Sequence, residues 1–395
     1  MRFLGLWIIL LHYSTSISAY DDTRKELGNL VLGQQYEFYS NLLDEPQKYT
    51  VVLPAGYTEN PSQHYPVVYV LDGFESQTQL AATAMRINYE TGPFSAPEAV
   101  IIGLPSNNRN RDYTPIASNI DFNGKPQEWL SEAGGGQKYQ AFLKDEFFDH
   151  IAANYRVNGH KVVIGHSFGG LFALSNLLSG ELLFQSYLVV DPSLWFGGEY
   201  LLNEVKKTES LPSGFAGNLY IATALYGDKD NRIQKTGELF FSNLLTHRSN
   251  NVYLKHEVFP EENHSSLVLQ AFHNGIRYIF EGYKPPAFDD IAQDPEILIQ
   301  HYEAFSERFG VTYPPEAWVV DASAGIALDK EWNNNVFKLL NLNAKHYPKR
   351  ILSWSNLAEV YTKIGDKAQA KAALHRVLEL DPDNVSAKEQ LLAIE

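Results

Sequence analysis

The stretch Lys161-Val162-Val163-Ile164-Gly165-His166-Ser167-Phe168-Gly169-Gly170-Leu171-Phe172-Ala173-Leu174-Ser175-Asn176-Leu177-Leu178-Ser179-Gly180 decides how this chain is read. Val162, Val163 and Ile164 are β-branched and suit a short buried strand, and Gly169 to Leu178 carries the apolar spacing of a helix packed on a sheet. Between them lies Gly165-His166-Ser167-Phe168-Gly169, a Gly-x-Ser-x-Gly turn in the strand-turn-helix setting that gives it meaning. A serine lifted above a sheet on a strained turn leaves no room for bulk two residues to either side, which accounts for the glycines. The amides opening the next helix point at the hydroxyl and stabilise negative charge developing there. Ser167 is therefore the expected nucleophile.

Outward from this turn, short apolar runs alternate with helical patterns. Gln34 to Ser40 and Lys48 to Leu53 read as two strands joined by a turn at Leu43-Asp44-Glu45-Pro46. Tyr65 to Leu71 is apolar throughout, as a strand buried on both faces would be, and runs into Asp72-Gly73-Phe74. Ala99 to Leu104 is the next such strand, followed by a polar loop holding Arg109-Asn110-Arg111-Asp112-Tyr113-Thr114-Pro115. Gly134-Gly135-Gly136 precedes a helix with Tyr139, Phe142, Leu143, Phe147 and Ile151 on one face. Beyond the serine, Tyr187 to Val190, Leu219 to Leu225 and Val252 to Val258 are strands, ending in Asp191-Pro192-Ser193-Leu194-Trp195, Tyr226-Gly227-Asp228-Lys229-Asp230 and Phe259 to His264. The pattern predicts an α/β fold, a mostly parallel sheet flanked by helices and led by an antiparallel hairpin. In such sheets sites gather at the carboxyl ends of the strands.

The chain has 395 residues, of which 44% are hydrophobic, enough for one large α/β domain with an appendage or for two domains. A formal charge of -15 argues against binding nucleic acid or an anionic membrane surface. Met1 to Ala19 has a basic start, an apolar run from Phe3 to Leu11 and a small-residue end at Ser16-Ile17-Ser18-Ala19, which reads as a signal peptide. The run falls short of the roughly 20 apolar residues of a membrane span, and no span is expected after its removal. Export without a single cysteine fits a bacterial periplasm or the medium. Asn263-His264-Ser265 and Asn384-Val385-Ser386 match the glycosylation sequon, a short and unspecific pattern.

Serine is a poor nucleophile at neutral pH and needs a histidine base oriented by a buried carboxylate. In chain order Ser167 is followed by the candidate acids and then by His264, each just past a predicted strand. Asp230 is the first choice of acid, with Asp228 and Asp191 as alternatives. The oxyanion would be held by the amide of Phe168 and by that of Phe74, with Gly73 permitting close approach. Arg109 and Arg111 either pair locally with carboxylates such as Asp112 or grip an anionic or polyhydroxyl substrate with their planar forks. Trp195 either walls the substrate pocket or belongs to the core. The remaining histidines are scattered without metal-ligand spacing, so no catalytic metal is expected, and the serine mechanism calls for no cofactor.

With Tyr65 to Gly73, Arg109 to Pro115, Gly165 to Leu171 and Glu262-Asn263-His264-Ser265-Ser266 in hand, the chain resembles the "Putative esterase" family of α/β-hydrolases. That family includes esterase D, the enterobactin-type siderophore esterases and the mycolyltransferases, and the resemblance, over Leu30 to Tyr283, leans toward the periplasmic siderophore-esterase-like branch. It implies an α/β-hydrolase fold and hydrolysis of a small-molecule carboxylic ester, with Ser167 as nucleophile and His264 as base. The family's usual acid position falls on Asp230. This chain also carries Asp191 where relatives commonly have serine before Pro-Ser-Leu-Trp. Acyl transfer to an acceptor hydroxyl is the alternative reaction on the same fold.

After Pro285-Pro286 the patterns become helical. Trp354, Leu357, Ala358, Tyr361, Ala370, Leu374 and Pro382 fall on the marked positions of a tetratricopeptide repeat, and Val320 to Pro348 reads as a weaker copy. The expected division is therefore a signal peptide over 1–19, an esterase domain over 20–285 and a helical region over 286–395. The repeat-like part, about 350–384, is read either as a buttress or as a surface that docks a protein partner. A non-catalytic scaffold using that tail is the alternative from another class.

Overall fold

Alternation with a period of two, hidden in the sequence because both faces are apolar, is what the sheet reveals. The computed structural model describes residues 31–90, 95–207, 211–212, 214–225, 232–246 and 252–394. Among these, eight strands form one sheet: β1 Gln34–Ser40, β2 Glu45–Val52, β3 Tyr65–Leu71, β4 Val100–Leu104, β5 Val157–His166, β6 Ser186–Val190, β7 Gly217–Ala224 and β8 Val252–Phe259. Their order is β1-β2-β4-β3-β5-β6-β7-β8. The pairs β1–β2 and β2–β4 are antiparallel, and every pair from β4 onward is parallel. This is the expected mixed sheet with a leading hairpin, and the fold is that of an α/β-hydrolase.

Val68, Val70, Val162, Ile164, Leu188, Val190, Tyr220 and Ala222 point to one face, where helices Glu75–Glu90 and Val268–Ile279 cover them. Val67, Tyr69, Leu71, Val163, Tyr187, Val189, Leu219 and Ile221 point to the other, under helices Phe168–Ser179 and Phe196–Lys207. Burial on both sides explains why β3, β4 and β6 read as unbroken apolar runs. The first apolar face continues through Phe280, Tyr283 and Phe305 into the all-helical region, from Phe288–Gln293 to Val385–Ile394, with no gap in the packing. Residues 1–30, which include the expected signal peptide, lie outside the described residues.

Two boundaries differ from expectation. The hairpin turn is Asn41 to Asp44, so β2 starts at Glu45 and contains Pro46. That position is tolerated because β2 meets β4 only over Thr50–Val52, so near Pro46 no second neighbour needs an amide hydrogen. The helix after the triple glycine opens at Gly136 and passes through a widened turn at Leu143–Phe147 before finishing at Asn154.

Candidate active site

Three neighbouring strands end alike. The residue following β3, β5 and β6 is Asp72, Ser167 and Asp191, and each has a left-handed backbone with φ of 52°, 58° and 42°. Non-glycine residues adopt that region at a cost of about 1–3 kcal/mol each, and such strain concentrates where side chains must be presented in one particular direction. His166 and Val190 are paired in the ladder, so Ser167 and Asp191 emerge side by side. The Ser167 amide donates to the Val190 carbonyl (3.0 Å) and the Asp191 amide to that of Ala222 (2.7 Å), which locks both turns onto the sheet. A Cβ at Gly165 would collide with the Gly169 carbonyl, so only glycine allows the chain to fold back so tightly.

His264 reaches this point from the far side of β7, five residues beyond the end of β8. Its Nδ1 lies 2.6 Å from Asp191 Oδ2. The carboxylate accepts, so Nδ1 carries the hydrogen, which in a neutral ring makes Nε2 the unprotonated nitrogen, the tautomer a general base requires. The Asp191 side chain is 3% exposed and that of His264 42%, which leaves the carboxylate in the protein and the imidazole open to a substrate. The loop is shaped by Asn263, whose Oδ1 accepts the amides of Ser265 (3.0 Å) and Ser266 (3.1 Å). Ser167 Oγ lies 3.2 Å from Ser193 Oγ, and the Ser193 amide donates to the Ser167 carbonyl. Of the three aspartates considered as acid, Asp191 is the one seen beside the histidine; Asp228 and Asp230 lie outside the described residues.

The Phe168 amide opens helix Phe168–Ser179 and has no intrahelical acceptor, as befits an oxyanion donor. Phe74 sits across the site on a turn where Gly73 packs directly on the backbone of Gly103 and Leu104, too close for any Cβ. Its amide bends back to the Asp72 carbonyl (2.6 Å) in this structure, so that donor is engaged within the turn.

The Arg109 to Pro115 motif builds the wall behind Asp72. Arg109 Nε binds Asp72 Oδ1 at 2.7 Å, its Nη2 reaches the His166 carbonyl (3.4 Å), and its guanidinium lies 5.1 Å from the centre of the Phe168 ring. Burial pushes the Asp72 carboxyl up, and the Arg109 charge pulls it back. The Tyr113 hydroxyl accepts the Asp72 amide (3.1 Å) and donates to the Leu104 carbonyl (3.2 Å). Arg111 faces elsewhere: it is held by Asp112 (Nε to Oδ1, 2.7 Å) and by Glu45, whose carboxyl it lowers, so local pairing describes it. The triple glycine lies against this motif, with Gly135 and Gly136 amides donating to the Arg111 and Thr114 carbonyls (2.8 and 3.0 Å).

Trp195 belongs to an aromatic wall rather than to the core alone. Its ring lies 5.7 Å from Phe168, 5.8 Å from Phe122 and 6.4 Å from Trp129, and Trp129 stacks on Phe168 at 6.2 Å. Phe122 and Trp129 are about half exposed, 49% and 48%. Sequence reasoning did not single them out, although large aromatics in a polar, glycine-containing loop are a signal that could have done so.

Residues 40–232 match the profile of the family described as "Putative esterase". The chain is 29% identical over 183 residues to the ferri-bacillibactin esterase BesA of Bacillus subtilis, covering 43% of this chain and 61% of that protein. It is 27% identical over 222 residues to an apo-salmochelin esterase of Escherichia coli, covering 53% and 68% respectively. The crystal structure of an IroE-like serine hydrolase from Shewanella oneidensis superposes with a TM-score of 0.69 at 28% identity, covering 79% of this chain and 99% of that one. This chain thus matches the "Putative esterase" profile over 40–232 and is similar to proteins named as esterases and to a serine hydrolase, siderophore esterases among them.

Proposed function

We propose that this protein is an exported serine esterase that cleaves carboxylic esters of the siderophore type, with Ser167 as nucleophile, His264 as general base and acid, and Asp191 as the carboxylate that orients it. The observation that carries the reading is the His264–Asp191 contact of 2.6 Å beside a left-handed Ser167 on the adjacent turn. Ser167 Oγ attacks the ester carbonyl carbon while its proton passes to His264 Nε2. The resulting oxyanion is held by the Phe168 amide, with the positive end of helix Phe168–Ser179 behind it. The tetrahedral adduct collapses, the carbon–oxygen bond to the alcohol breaks, and His264 returns the proton to the leaving oxygen. Water then repeats the sequence on the acyl-enzyme and releases the acid and free Ser167.

The wall formed by Phe122, Trp129 and Trp195, with Arg109 at its edge, supports an ester whose acyl part is aromatic and carries polar or anionic substituents. The names of the two bacterial relatives point the same way. We assign the helical tail as a buttress, because its apolar residues continue the packing of one face of the sheet. Labelling with a fluorophosphonate tests the reading: wild type should label, and Ser167→Ala and His264→Ala should not. A folded wild type that does not label refutes it.

A further inference from the structure

No backbone ladder ties His264 to Ser167: β6 and β7 lie between their strands, and the loop from Pro260 to Asn263 intervenes. Two side-chain contacts seen among the described residues contribute to the connection. Asp191 holds the imidazole at Nδ1, which sets the ring's direction. The second tether is His166, the residue before the nucleophile, whose Nε2 lies 2.8 Å from the main-chain carbonyl of His264. The two imidazoles also pack together, with centres 4.4 Å apart and planes tilted by 40°.

We propose that His166 is a positioning residue that acts as a neutral Nε2–H donor, fixing the main chain of His264 and thereby the place of the base relative to Ser167. A carbonyl oxygen can only accept, so the hydrogen must sit on Nε2 of His166. The groups facing this ring are His264, Asp191 and Arg109. Burial first, and then the neighbouring His264 and Arg109, disfavour a second proton and push the group down to about 4, so the donor stays uncharged beside the imidazolium that forms during turnover. His166 is itself held from behind, since its carbonyl accepts from Arg109 Nη2, which shares its guanidinium with Asp72. The turn of Ser167 and the His264 loop are thus joined by the His166 side chain, which holds the loop's main chain, in addition to the hold of Asp191 on the imidazole.

This proposal rests on the esterase reading, and the test separates the two. In the full-length mature protein, His166→Phe keeps a ring against His264 and removes the donor, whereas His166→Gln restores an amide donor. His166→Phe should lower kcat on an aryl ester by about 10- to 100-fold with KM within about twofold, because sub-ångström displacement of a base is felt in kcat. His166→Gln should recover most of the loss. A wild type that labels with fluorophosphonate while His166→Phe keeps full kcat overturns the role of His166 alone; a wild type that fails to label overturns the esterase reading as well. Should His166→Phe fail to fold, nitrogen-15 histidine spectra of the wild type decide. The proposal requires a neutral Nε2–H tautomer for His166 from pH 5 to 8, and an Nδ1–H tautomer or protonation within that range refutes it.

Discussion

Replacing Glu316 by Gln should change how stability depends on pH. Glu316 stands at the start of helix Ala317–Asp329, 5% exposed, with its carboxylate accepting from the Tyr283 hydroxyl. Burial, reinforced by the charge of Glu98 and opposed by that hydrogen bond, pushes it from 4.5 up to about 7. Between those two values the native state holds a proton that the unfolded chain has already lost. Wild-type stability from this group therefore falls as pH rises through that window and levels off above pH 7. At about 1.4 kcal/mol per pH unit the full loss is about 3 kcal/mol. Gln keeps an acceptor for Tyr283 and carries no charge, so the variant should match wild type near pH 4.5 and exceed it by about 3 kcal/mol at pH 8. The assay is denaturant unfolding of both proteins at pH 5 and pH 8. Glu98, also raised by burial, is coupled to Glu316, so removing the Glu316 charge eases its ionisation and acts in the same direction on the variant's stability at pH 8. A stability difference that is the same at both pH values, or a variant less stable at pH 8, would refute the reasoning.

Asp191→Asn should leave the fold intact and lower kcat by about 10³- to 10⁴-fold, because an amide at this place selects the wrong imidazole tautomer, while Asp228→Asn and Asp230→Asn should stay within about tenfold of wild type. Arg109→Ala leaves the Asp72 carboxylate without its 2.7 Å partner and should lower stability by about 1–2 kcal/mol, a figure reduced for the partial exposure of the arginine, and should raise KM for anionic esters. Trp129→Ala removes half-exposed aromatic surface, so KM for aryl esters should rise about tenfold relative to acetyl esters with little change in melting temperature. Leu357→Ala in the tail, at a position 2% exposed, should cost about 2–4 kcal/mol and move a single unfolding transition followed by both ellipticity and esterase activity. Activity that survives at temperatures where the tail has melted would contradict the buttress.

Ser167 and His264 could be singled out as candidates because each is marked locally: the serine by glycines at fixed spacing, the histidine by a polar loop after a strand. The parallel sheet and its hairpin followed from apolar runs and turn residues in the same way. The acid was not legible, since Asp191, Asp228 and Asp230 all follow strands and the sequence ranks them only by habit. That Asp191 meets the imidazole follows from the pairing of His166 with Val190, which brings the end of β6 beside Ser167. The two arginines are a similar case. Two residues apart in one motif, they face opposite ways, Arg109 to Asp72 and Arg111 to Glu45 and Asp112.

The sequence by itself determined the chemistry available: a serine on a strained turn, a histidine, carboxylates after strands, and enough apolar residues to bury a sheet on both faces. These are properties of composition and short-range spacing, and the backbone enforces them within a few residues. Only the tertiary structure decided that Asp191 lies 2.6 Å from His264, that His166 lies 2.8 Å from the histidine's main-chain carbonyl, and that Phe122 and Trp129 join Trp195 and Phe168 next to Ser167. Those contacts join residues about 70 to 100 positions apart, or separate loops. They form only when strand order and register bring distant chain ends to one edge of the sheet.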